Sequence, residues 1–165
     1  MVSDTPVSVT FRPLVAPDAA AARSLADATL GGAPFAAGML AALDEAVTSD
    51  SDEYRAVGAH DGSSLVGFVV FGEIAGAIGA GRIYVVGVEA TARRHGIATA
   101  LVEAACIELE ARGSRFAVIE LLEEPSLASG LALAHRTGFR EEGRVSEYVR
   151  DGVGLLLLRR DLPGA

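Results

Sequence analysis

Arg93-Arg94-His95-Gly96-Ile97-Ala98 lies between an apolar run, Arg82-Ile83-Tyr84-Val85-Val86-Gly87-Val88, and a long run from Ile97 to Arg112. The first run is rich in β-branched residues and reads as a strand. The second reads as a helix and stops at Gly113, a residue suited to a helix C-terminal cap. Two arginines and a glycine therefore stand at a strand-to-helix junction. Backbone N–H groups converge at such a helix start, where aligned peptide dipoles leave partial positive charge, and the arrangement holds a phosphate or pyrophosphate. Gly96 keeps the approach open, because a side chain there would hold a phosphate off the backbone.

Outward from this junction the chain alternates strands and helices. Val7 to Arg12 reads as a strand closed by Pro13, and Pro17-Asp18 opens a helix through about Leu30. Gly31-Gly32 breaks it, and a second helix spans Pro34 to Val47. After a polar loop, Tyr54 to His60 and Leu65 to Gly72 form a hairpin about Asp61-Gly62-Ser63. Glu73 to Gly81 carries Gly76, Gly79 and Gly81, too many for a regular strand interior, and reads as a flexible loop bordering a substrate opening. Beyond the long helix come a strand from Phe116 to Leu122 and a helix from Ser126 to Arg136. Strands Arg144 to Val149 and Val153 to Arg160 follow, joined at Asp151-Gly152. The order β-α-α-β-β-β-α-β-α-β-β predicts an α/β (α+β) fold with helices packed on a mixed sheet. Neither a repeat nor a linker interrupts it, and 165 residues suit one domain over 1–165.

Composition narrows the function. No lysine occurs, and all fourteen basic residues are arginine. A Walker-type phosphate loop and a Schiff-base mechanism both need lysine and are excluded. The net charge of −8 argues against nucleic-acid binding, which draws most of its affinity from a basic face. No apolar run is long enough to span a membrane, and Met1 to Pro6 lacks the features of a secretion signal. A single cysteine, Cys106, excludes an internal disulfide and fits a reducing, cytoplasmic setting. It reads as a small packing residue within the long helix. Three histidines and one cysteine, without metal-ligand spacing, predict no metal site.

At the quoted residues the chain resembles the GNAT family of acyl-CoA-dependent N-acetyltransferases. The family signature, Gln/Arg-x-x-Gly-x-Gly/Ala after a strand, is met by Arg93, Gly96 and Ala98. The predicted element order coincides with the family order, which implies a largely antiparallel central sheet flanked by helices. The resemblance implies acetyl-CoA as acyl donor, with its pyrophosphate on the backbone of Arg93, Arg94, His95, Gly96, Ile97, Ala98 and Thr99. It implies that the backbone of Val86, Gly87 and Val88 pairs with the pantetheine arm like an added strand, with the Val88 N–H facing the oxyanion. Gly87 is compatible with a bulge that frees this backbone.

The C-terminal third is similar to the branch that acetylates ribosomal-protein N-termini at alanine or serine. That branch reads Asn-x-x-Ser, then Gly-Phe-Arg-x-Glu-Gly. Here Ser126-Leu127-Ala128-Ser129 precedes Gly138-Phe139-Arg140-Glu141-Glu142-Gly143. The resemblance makes Ser129 the candidate that contacts coenzyme A or, as a catalytic residue, protonates its sulfur. Two departures bear on catalysis. Many members place an acid tyrosine where this chain has Ala134, and some carry a glutamate where it has Arg82.

A base is also needed, because a neutral amine must attack the thioester. Glu120 is the foremost candidate: it interrupts the apolar run Val118-Ile119-Glu120-Leu121-Leu122, where desolvation favours a carboxyl that takes up a proton. Glu73 and Glu147 are lesser candidates. The expected function is acetyl transfer to the primary amine of a small molecule or a peptide N-terminus, by direct attack in a ternary complex. The alternative is a non-catalytic acyl-CoA-binding sensor, which Ala134 and Arg82 keep open. A homodimer would be ordinary for the family, and the acceptor is not readable from these residues.

Overall fold

The computed structural model describes residues 8–33 and 35–164, with Ser126 described by its backbone alone. Seven strands form a single sheet: β1 (Val9–Pro13), β2 (Arg55–Asp61), β3 (Ser64–Glu73), β4 (Ala80–Val88), β5 (Phe116–Leu122), β6 (Arg140–Arg150) and β7 (Val153–Asp161). Four helices accompany them: α1 (Ala19–Leu30), α2 (Ala36–Thr48), α3 (Ile97–Ala111) and α4 (Ala128–Arg136). The spatial order is β1-β2-β3-β4-β5-β7-β6. Every neighbouring pair is antiparallel except β4 with β5.

β3 shows how the sequence builds two cores from one strand. Its side chains alternate between faces with a period of two. Val69 and Phe71 join α3 residues Leu101, Val102, Ala105 and Leu109 on one face. Phe68 and Val70 join Leu25 and Ala26 of α1 and Leu43 and Val47 of α2 on the other. All four β3 side chains are fully buried, which explains why the strand reads as a continuous apolar run. Cys106 is buried in the α3 core, and loss of hydration pushes its thiol up to about 11, so it packs as a hydrophobe.

The element order agrees with the sequence reading, and several boundaries do not. The starts at Val7 and Pro34 lie outside the described residues; the first strand runs from Val9 and the second helix from Ala36. The glycine-rich segment is a loop over 74–79 and lies outside the cavity lining described below: β3 continues to Glu73, and β4 already begins at Ala80. Gly81 serves packing rather than flexibility, since a Cβ there would lie 2.7 Å from both Cδ atoms of Leu109. β6 begins at Arg140 rather than Arg144, pairing Arg140 with Arg159 and Glu141 with Leu158. It is exposed along its whole length at the sheet edge, so no alternation of apolar residues marks its start.

Candidate active site

β4 and β5 pair in parallel only from Ala80–Phe116 to Ile83–Ile119. Beyond Ile83 the two strands part. A register slip at Val70/Phe71 of β3 leaves Tyr84 as the extra residue on β4. The bulge expected at Gly87 thus sits at Tyr84, while Gly87 pairs regularly with Phe68. Gly87 is needed for a different reason: a Cβ there would lie 2.5 Å from the Phe68 ring and 2.9 Å from the Thr29 hydroxyl. The end of α1 is thereby seated directly over the splayed part of β4.

The splay leaves backbone groups without a partner strand. Glu89 N–H donates to the Val66 carbonyl, so Val88 and Gly67 face each other as a non-hydrogen-bonded pair. The N–H and carbonyl of Val88 therefore point away from β3, into the gap. Val86, two residues earlier, directs its own the same way. The Val88 carbonyl accepts a 3.1 Å hydrogen bond from Arg93 Nε, which ties the signature turn to the strand.

The turn itself leads to an uncapped helix. Gly96 has φ 75° and ψ 8° and precedes α3, whose start has no side-chain cap and no acidic residue in its first turn. Ala100 is the first amide to donate back, to the Gly96 carbonyl at 3.0 Å. The amides before it lack any intrahelical or capping acceptor. A Cβ at Gly96 would meet no protein atom within 4 Å, so the space above the turn is open. This concave set of free amides, with Arg93 and Arg94 beside it, fits a diphosphate.

Gap and turn open into one cavity of about 1090 Å³. Of the residues singled out from the sequence, Val86, Gly87, Val88, Arg93, Arg94, Gly96, Ile97, Ala98, Thr99, Glu120 and Ser129 line it. His95 does not: its ring Nδ1 sits 3.3 Å from the Ala92 carbonyl, outside the lining. Glu73 and Glu147 are also absent from the walls; Glu73 pairs with Arg112, and Glu147 is exposed on the edge strand. The charged lining residues are Arg82, Arg93, Arg94, Arg136 and Glu120. A chain of net charge −8 therefore presents a net positive cavity, suited to a phosphorylated ligand.

Glu120 does not stand in the apolar isolation that its neighbours in sequence predict. Its Oε2 lies 2.8 Å from Arg82 Nη2, and each side chain is about one-third exposed, at 31% and 32%. The Arg82 guanidinium also sits 4.8 Å from the centre of the Tyr84 ring, which meets Tyr54 edge-on. Burial raises the Tyr84 hydroxyl above its ordinary pKa, with the neighbouring Tyr54 adding to it. Ala134 is buried against Phe139 in the α3 core and offers no proton donor.

The family profile for acetyltransferases of the GNAT family matches residues 22–139. The chain belongs to the GNAT family. It is an acyltransferase of the acetyl-CoA-dependent type. Among solved structures, a GNAT-family protein of Desulfovibrio desulfuricans superposes with a TM-score of 0.86 at 22% identity, over 94% of this chain and 99% of that one. The Escherichia coli ribosomal-protein-S18-alanine N-acetyltransferase gives 0.75 at 17% identity, over 95% and 96%. A chain of the NatC complex bound to Gag peptide and CoA gives 0.70 at 23% identity, over 93% and 98%. No curated protein matches the chain.

The GNAT fold brings to the cavity several residues that sequence reasoning missed. Thr29 and Leu30 arrive from the end of α1, Phe35 from the connection, Met39 from the first turn of α2, and Arg136 from the end of α4. Tyr148 and Val149 arrive from β6, whose pairing with β7 slips between Val145 and Arg150. Glu147 has φ 52° within that slip. Only the Gly31-Gly32 break hinted at the first group; nothing in the charged β6 sequence marked the last. Among the described residues, no cluster of metal-ligating side chains occurs and no helix is long and apolar enough to cross a membrane.

Proposed function

We propose that this chain transfers the acetyl group of acetyl-CoA to a primary amine by direct attack within a ternary complex. The observation that carries the proposal is the joining of two features in one cavity: the free backbone of β4 beyond Ile83 and the uncapped amides of the Gly96 turn. The amides from Gly96 to Thr99 hold the diphosphate, with Arg93 and Arg94 adding charge. Val86 to Val88 pair along the pantetheine arm, and Ser129 on α4 stands on the sulfur side.

The Val88 N–H supplies the oxyanion donor. The amine nitrogen bonds to the acetyl carbon, the carbon–sulfur bond breaks, and its electron pair leaves on sulfur. A thiolate with an ordinary pKa of roughly 8.5 departs without obligatory protonation, so the alanine at position 134 does not bar the reaction. Glu120 receives the proton that the amine loses. Its carboxylate is held 2.8 Å from the Arg82 guanidinium at the cavity wall.

The test is thiol release from acetyl-CoA in the presence of amines, read together with the mass of the acetylated product. Wild-type protein is expected to turn over. Gly96→Glu, which sets a carboxylate in the phosphate turn, should lose coenzyme A binding while its unfolding transition stays cooperative. Unchanged affinity in that variant would refute the phosphate assignment.

A further inference from the structure

The acceptor, on the reading just given, meets the thioester in the cavity that Glu120 lines, and the lining away from the Gly96 turn has a definite chemistry. Leu30 ends α1, Phe35 precedes α2 and Met39 lies in its first turn, Tyr84 comes from β4, and Tyr148 and Val149 come from β6. Glu120 is the sole carboxylate on the described lining, and Arg82 already neutralises it at 2.8 Å. The remaining charged walls are arginines. A second ammonium in this space would find hydroxyls and aromatic rings but no free carboxylate among the described lining residues, and a desolvated cation without a counter-charge is disfavoured. An apolar group would instead displace water from aliphatic and aromatic surfaces.

We infer that the acceptor is a primary amine carrying an apolar aliphatic or aromatic substituent and no second cation, selected by the wall of Leu30, Phe35, Met39 and Tyr148. A free amine and a polypeptide N-terminus with an apolar first side chain present this same chemistry. The overall acidity of the chain points toward polycationic acceptors; the cavity does not, because the acidic residues other than Glu120 lie away from it. The bonds exchanged are those of the proposed reaction, with the ammonium proton passing to Glu120 and the thiolate leaving.

The experiment compares kcat/KM of the full chain for isopentylamine and phenethylamine with that for cadaverine and spermidine. A parallel arm uses tetrapeptides beginning with leucine or lysine. The apolar monoamines, or the leucine peptide over the lysine peptide, are expected to lead by at least about tenfold, the discrimination that a few buried methylenes give. Transfer confined to one arm identifies the source and supports the inference. Faster transfer to cadaverine or spermidine would overturn it and leave the acetyltransferase reading standing. Failure to acetylate any amine, with coenzyme A still bound, would overturn both. Met39→Glu adds a second carboxylate to the wall, and the ratio of cadaverine to isopentylamine turnover should rise about tenfold. An unchanged ratio in a variant that binds coenzyme A normally would overturn the placement of this wall.

Discussion

Replacing Gly96 with alanine separates the turn's role in folding from its proposed role in binding a diphosphate. The residue sits at φ 75°, where an L side chain costs about 1–2 kcal/mol. Part of that cost is offset by about 0.4–1 kcal/mol, because alanine has less conformational freedom to lose on folding. No protein atom lies within 4 Å of the added Cβ, so no clash enters. The net destabilisation is about 1 kcal/mol, a Tm drop of roughly 2–4 °C for a chain of this size.

Gly62 provides the control. It turns between β2 and β3 at φ 59°, its added Cβ also meets nothing within 4 Å, and it is not part of the cavity lining. Gly62→Ala should cost a similar Tm shift. Only Gly96→Ala places a methyl where the diphosphate would lie. Losing one backbone hydrogen bond to an ionised oxygen is worth about 1.5–3 kcal/mol, which is roughly a 10- to 200-fold rise in the Kd for coenzyme A. Calorimetric titration with coenzyme A and thermal unfolding of both variants supply the readouts. Equal coenzyme affinity in the two variants would refute the assignment of the diphosphate to this turn.

Other outcomes follow from the same geometry. Glu120→Gln should retain coenzyme A affinity and lower kcat at neutral pH by about 10²–10⁴, and full activity would remove Glu120 from the proton path. Gly81→Ala alone should cost about 1–3 kcal/mol, because its Cβ would press on Leu109. Denaturant titration of the double variant with Leu109→Ala should show a large non-additive recovery, and strict additivity would disprove the contact. The hydrogen bond from Arg12 holds Asp18 well below the usual carboxylate range, at about 2. A depressed carboxyl stabilises the fold above its ordinary pKa and loses that contribution as pH falls through the folded value. Urea midpoints of wild type and Arg12→Ala should therefore differ at neutral pH and converge between about pH 4 and 2. A gap as large at pH 2 as at neutral pH would contradict the ion pair.

The sequence was most legible where local chemistry is self-sufficient. The strand Arg82–Val88, the signature turn and the helix from Ile97 each follow from propensity and spacing over a few residues. Within the glycine-rich segment the loop at 74–79 was legible and Gly81 was not, because a glycine that makes room for Leu109 looks the same in sequence as one that frees a loop. The Gly87 bulge misled for a similar reason: that glycine answers the Phe68 ring and Thr29, both remote in the chain. The edge strand β6 began earlier than expected, because a strand exposed on both faces carries no apolar alternation to mark it.

By itself the sequence determined the order of elements, the strand-turn-helix junction at Gly96 and the family, since each depends on neighbours along the chain. Tertiary structure alone decided what faces Glu120 and which residues from the two ends of the chain line the cavity. Arg82 and Glu120 stand far apart in sequence and meet because β4 and β5 pair only up to Ile83 and Ile119. Phe35, Met39 and Tyr148 reach the same cavity from opposite ends of the chain. Such contacts depend on the register of a parallel strand pair and on a slip in an edge ladder, and neither leaves a periodic mark in the residues that make it.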